Sequence, residues 1–130
     1  MSRIASFLAL CLLLGACGAS ENAVSSGVSS NQIDVRELSY PAEMFTAYQI
    51  VRRHKSNWLR KRGRASFENP TPIKVYLDNT GSPYGDIEVL QNIGGMDVAT
   101  IEYFGAGEAQ LKFGLGHRSG AILVRTRSSE

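Results

Sequence analysis

His54 and His117 are the only two histidines among 130 residues, and they stand sixty-three positions apart. A zinc site needs three or four ligands, and no His-x-x-x-His pair exists to start one. His54 falls on what reads as the apolar face of a helix, a place for a packed ring. Of the carboxylates, Asp97 and Glu102 lie five apart around the start of an expected strand, so their side chains point to opposite faces and do not form an acid/base pair. Serines are plentiful, but none sits in a nucleophile elbow. Gly114-Leu115-Gly116-His117-Arg118-Ser119-Gly120 has neither dinucleotide nor P-loop spacing and leads into a strand, so it reads as a structural turn. The expectation is no catalytic residue, no metal and no cofactor.

What remains is charge. Arg52, Arg53, Lys55, Arg60, Lys61, Arg62 and Arg64 place seven positive charges in thirteen residues, with Trp58 among them. Such a cluster suits anionic headgroups, where each basic residue contributes about 1 kcal/mol and Trp58 would take the interfacial zone. It also suits a polyanionic partner, and it is equally the composition of a solvated helix face. A net charge of +2 gives no argument for nucleic acid.

At the N-terminus, Arg3 precedes an apolar run from Ile4 to Ala16. That run has the length of a signal-peptide core and is shorter than the roughly 20 residues a membrane-spanning helix needs. It closes on Leu14-Gly15-Ala16-Cys17, which resembles the lipobox of bacterial lipoproteins. The resemblance implies cleavage after residue 16, palmitate and related acyl chains on Cys17, and, with Gly18 next, an outer-membrane address. An ordinary secretory signal cut near Ala19 is the alternative. Cleavage at Cys17 removes Cys11 and Arg3, leaving thirteen basic against twelve acidic residues and no cysteine pair for a disulfide.

The length allows one domain. Residues 17–32, ending GASENAVSSGVSSNQ, hold five serines and little that could build a core. They read as a flexible, disordered tether with an r.m.s. reach of about 20 Å. The folded part is expected over 33–127, with a short tail at 128–130.

Within it, Thr46 and Gln49 have capping-box spacing, and Phe45 and Ile50 hold hydrophobic-staple positions. Ala47, Ile50, Val51 and His54 then share one face of a helix over 47–56. Residues 33–38 read as a short strand, and Trp58–Leu59 as the start of an irregular or extended stretch. Ile73, Val75 and Leu77 alternate with Lys74, Tyr76 and Asp78, as in a strand with one buried face. Residues 86–92 read as a short helix with Ile87, Leu90 and Ile93 on one stripe, 98–104 as a strand, and 108–113 as a helical turn or two. The last strand, 121–126, carries an Ala-Ile-Leu-Val run that suits a central, doubly covered position. Strands separated by helices imply crossover connections. The fold class is therefore α+β, with a small mixed, partly parallel β-sheet and short crossover helices.

Asp97-Val98-Ala99-Thr100-Ile101-Glu102-Tyr103, the segment Gly105 to Gly114, and Gly120-Ala121-Ile122-Leu123-Val124-Arg125-Thr126-Arg127 together resemble the last third of the plug domain of TonB-dependent receptors. Pro72 to Asp78 resembles the plug strand that ends in Asp-Gly, with Asn79 where Gly is usual, and Asn tolerates the left-handed turn next best. Thr46 to Leu59 resembles the opening helix without its usual Pro-Gly. The resemblance spans about 80 residues. It implies a plug-like fold without the barrel that a receptor plug closes, and no TonB-binding segment stands in the tether. The expected function is a lipid-anchored, non-catalytic interaction module on the periplasmic face of the outer membrane, with an outer-membrane β-barrel protein as partner. An accessory or split plug in TonB-linked uptake is the second reading, and a small periplasmic enzyme the third.

Overall fold

The computed structural model describes residues 30–60 and 71–129. Cys17 and most of the tether lie outside the described residues, as do Lys61, Arg62 and Arg64. The chain forms strand β1 (Gln32–Asp34), helix α1 (Ala47–Lys55), strands β2 (Lys74–Leu77), β3 (Gly85–Asp86) and β4 (Val98–Phe104), helix α2 (Ala106–Phe113) and strand β5 (Ala121–Thr126), linked partly by short 3-10 turns. The strands build one mixed sheet in the order β1-β4-β5-β2-β3. The β5–β2 pair is parallel, with Val75 opposite Ile122, and the other three pairs are antiparallel. The fold is mixed α+β, as the alternation of elements implies. One detail differs from the crossover expectation: α2 joins β4 to β5, which are antiparallel neighbours.

Helix α1 starts where its cap predicts. The Thr46 hydroxyl accepts the Gln49 N–H at 3.3 Å, and Gln49 Oε1 accepts the Thr46 N–H at 2.9 Å, satisfying two donors that a helix start leaves open. A third, the Ala47 N–H, donates to the Ile93 carbonyl at 2.8 Å. Ala47, Ile50 and Val51 are fully buried and His54 half-buried, so the expected face does turn inward.

Beneath α1 lies the main core. It gathers Ile33, Val75, Ile101, Ile122 and Val124 from the sheet with Trp58, Leu90 and the inner face of α1. Large apolar side chains buried this fully contribute about 1.5–3 kcal/mol each. Ile87, Leu90 and Ile93 all point into it from a 3-10 helix over Ile87–Asn92. A spacing of three is the 3-10 period, which explains why the stripe is right and the helix type is tighter than α.

Two expectations fail here for reasons of packing. Where an irregular or extended stretch is expected from Trp58, residues 56–59 form a 3-10 turn, and Trp58 is 2% exposed, stacked on Tyr103 with ring centroids 5.6 Å apart. A ring so enclosed has no access to a membrane interface. Strand β2 is buried on both sides: Val75 faces the main core, while Tyr76 enters a second, smaller cluster with Ala109, Ala121, Leu123 and Phe113. The cover on that far side is α2. Strand β5, between β4 and β2, has Ala121 through Val124 fully buried and is the doubly covered strand its composition suggests.

Candidate functional site

Arg52 and Arg53 occupy the last turn of α1 and line a surface cleft with Phe45 and Gln49. The cleft encloses about 280 Å³. Gln49, Arg52 and Arg53, at spacings of three and four, share one side of α1. This periodic signal was open to sequence reading, which took Phe45 only for a staple and Gln49 only for a cap.

An aromatic group steadies the rim. The Arg53 guanidinium lies 4.8 Å from the Tyr40 ring centroid and 6.0 Å from that of Phe45. Tyr40 packs edge-on to Phe45 at 5.3 Å and parallel to the His54 ring at 5.7 Å, and its hydroxyl shares a 2.8 Å hydrogen bond with His54 Nε2. Burial holds His54 below the usual imidazole range, and the neighbouring Arg53 and Lys55 charges press it the same way. Burial raises the Tyr40 hydroxyl, with Arg53 partly opposing.

Of the seven basic residues read as a cluster, the described ones are Arg52, Arg53, Lys55 and Arg60. None of these four makes a salt bridge among the described residues. Cations elsewhere are placed differently: Arg36 lies 3.5 Å from Asp34, Lys74 2.7 Å from Asp86 and Arg125 3.6 Å from Glu102. Three of the four, Arg52, Arg53 and Lys55, sit in the last turn of α1, where positive charge also offsets the negative helix end.

His117 has a structural environment. It is 5% exposed, and its Nδ1 lies 2.8 Å from the Gly114 carbonyl, which can only accept. Nδ1 therefore donates, and in the neutral ring Nε2 accepts the Tyr76 hydroxyl at 2.8 Å. Both nitrogens are engaged in closing the 114–120 turn over α2. Ser119 is also buried, and its hydroxyl donates to the Thr71 carbonyl at 2.8 Å. Glu102 is tied to Arg125, and Asp97 is exposed. No three metal-ligating side chains come together among the described residues.

The turn after β2 carries a correction. The residue with left-handed backbone is Asp78, at φ 51°, and not Asn79. Aspartate is one of the few residues that adopt it at modest cost.

No helix among the described residues is long and apolar enough to cross a membrane. Comparison of the chain with protein-family models, with curated proteins and with solved structures gave no match.

Proposed function

We propose that the chain is a lipid-anchored envelope protein whose α+β domain serves as a non-catalytic binding module, held at the outer membrane through acylated Cys17. The observation that carries this reading is the order of parts in the sequence: an apolar run closing on Leu14-Gly15-Ala16-Cys17, a Ser-rich tether, and one small domain. The domain adds support through a basic cleft on α1 whose arginines make no salt bridge among the described residues, and through histidines and a buried serine engaged in structural hydrogen bonds.

The plug resemblance suggests the partner. Its densest motifs coincide with β4, α2 and β5, consecutive elements of the sheet and its far-side cover. A β-barrel protein of the outer membrane is the partner class that this likeness favours.

In cells, Cys17→Ala should abolish incorporation of labelled palmitate and, after a high-salt wash that releases charge-held protein, leave the protein in the soluble periplasmic fraction. Unchanged palmitate incorporation in that variant, or membrane association that survives the wash, overturns the anchor. For the partner, a photo-crosslinking residue at Arg118, exposed and outside α1, should give one recurrent barrel adduct. Adducts to abundant bystanders alone count against a barrel.

A further inference from the structure

Among the described residues, the α1 cleft is lined by groups that donate and by none that carries negative charge. Arg52 and Arg53 supply guanidinium N–H groups. Gln49 uses Oε1 on the Thr46 N–H, which leaves its amide NH2 as a donor. Phe45 contributes an apolar wall. The contact of Arg53 with Tyr40 positions its charge without neutralising it, because a guanidinium over a ring face keeps in-plane donors for another partner. A cleft of donors and unpaired positive charge is built for an anion, and planar guanidinium groups match phosphate oxygens well.

Exposed methionines neighbour Phe45 in the chain and, across its backbone bond, Gly95. Met44, 79% exposed, precedes Phe45 in the chain. Met96, 60% exposed, follows Gly95, whose N–H donates to the Phe45 carbonyl at 2.8 Å. Two exposed methionines therefore flank the backbone contact that forms one side of the cleft. Cations beside solvent-facing apolar groups match a surface with phosphate at one depth and hydrocarbon just below it.

We infer that this face of α1 rests on anionic phospholipid, with Arg52 and Arg53 on headgroup phosphates, Lys55 and Arg60 adding charge, and Met44 and Met96 reaching the acyl boundary. The choice of lipid over an acidic protein rests on the proposed anchor, whose tether keeps the domain within about 20 Å of a bilayer. The donor-only character of the cleft does not depend on the anchor. Trp58, enclosed in the core, takes no part.

The test is vesicle flotation of the chain from residue 17 onward carrying Cys17→Ser, so that no acyl chain contributes, with circular dichroism confirming the fold of every variant. Vesicles are phosphatidylcholine alone, or phosphatidylcholine mixed with phosphatidylglycerol. The protein should float only with the anionic vesicles and be released as salt rises. Arg52→Ala should weaken binding about fivefold, and the Arg52→Ala, Arg53→Ala pair about thirtyfold. Because Arg53 also packs on Tyr40, Arg53→Lys is the second variant; keeping the charge, it should retain most of the binding. Arg118→Ala removes an exposed charge outside α1 and should leave binding as it was. Equal flotation with both vesicle types, no flotation, or equal losses from Arg118→Ala and Arg52→Ala would overturn the inference. Capture by immobilised polyglutamate without vesicle binding would overturn it too, in favour of an acidic protein. Palmitate incorporation in cells, compared between the intact chain and Cys17→Ala, reads the anchor alone, so the two readings fail separately.

Discussion

The Asp78 carboxylate accepts the backbone N–H of Thr126 at 2.7 Å and its hydroxyl at 3.0 Å, while the Asp78 N–H donates to the Val124 carbonyl at 2.7 Å. The end of β2 is thereby fastened to the end of β5, beside the one parallel pair of the sheet. Asp78→Ala removes charge-assisted bonds and places a β-carbon without compensating contacts at positive φ. It should cost about 2–3 kcal/mol in urea unfolding. Asp78→Asn keeps an acceptor and tolerates the backbone, so its loss should be smaller; equal losses would show that the neutral acceptor contributes nothing and that the charge carries the contact.

Tyr76→Phe keeps the ring stacked on Phe113, 3.9 Å away, and deletes only the hydroxyl that meets His117. A buried imidazole nitrogen then has no partner, at a cost of about 1–3 kcal/mol. A thermal melt unchanged from the wild type would mean that water replaces the hydroxyl and that the turn does not depend on this bond.

His54 links stability to pH. Its folded pKa lies below the ordinary value near 6.5, chiefly from burial, so the unfolded chain binds a proton that the folded state resists. The contribution is present at neutral pH and is lost as pH falls through the ordinary range toward the depressed value. The urea midpoint should drop between about pH 7.5 and 5.5, and His54→Gln should flatten that slope. An unaltered slope in the variant would place the titration elsewhere.

Two glycines should respond oppositely to alanine. A β-carbon on Gly95 would run into the Ala42 carbonyl and lie 2.8 Å from the Phe45 carbonyl. Both contacts are backbone, so Gly95→Ala should cost about 3 kcal/mol and loosen the side of the cleft that holds Phe45. Gly107, inside α2 with nothing near its β-carbon position, should gain about 0.5–1 kcal/mol on the same change. Denaturation of both variants checks the pair.

Local chemistry accounts for what could be read along the chain. The α1 cap depends on residues three apart, β4 on a run of branched and aromatic side chains, and β5 on four consecutive apolar residues. The stripe at 87, 90 and 93 was legible as a buried face because its spacing is local. The basic cluster was legible as well, being a matter of composition over a few residues.

Tertiary structure decided everything that depends on a distant partner. Tyr76 looks like the outward residue of a half-buried strand until α2 and His117, 41 positions away, cover that side. Asp78 takes the left-handed turn beside Thr126, 48 positions on, which its carboxylate grips. Trp58 is drawn from an apparently exposed basic stretch into the core by Tyr103. Within that stretch, charge was visible in the sequence, but the cleft was not, because it needs Phe45 brought alongside Arg52 and Arg53 and the entry to α1 braced by Ile93 and Gly95. Short-range spacing determines which residues can form an element or carry a charge. Which side of that element is covered, and which charges remain unpaired beside an apolar wall, depends on contacts closed only when the whole chain packs.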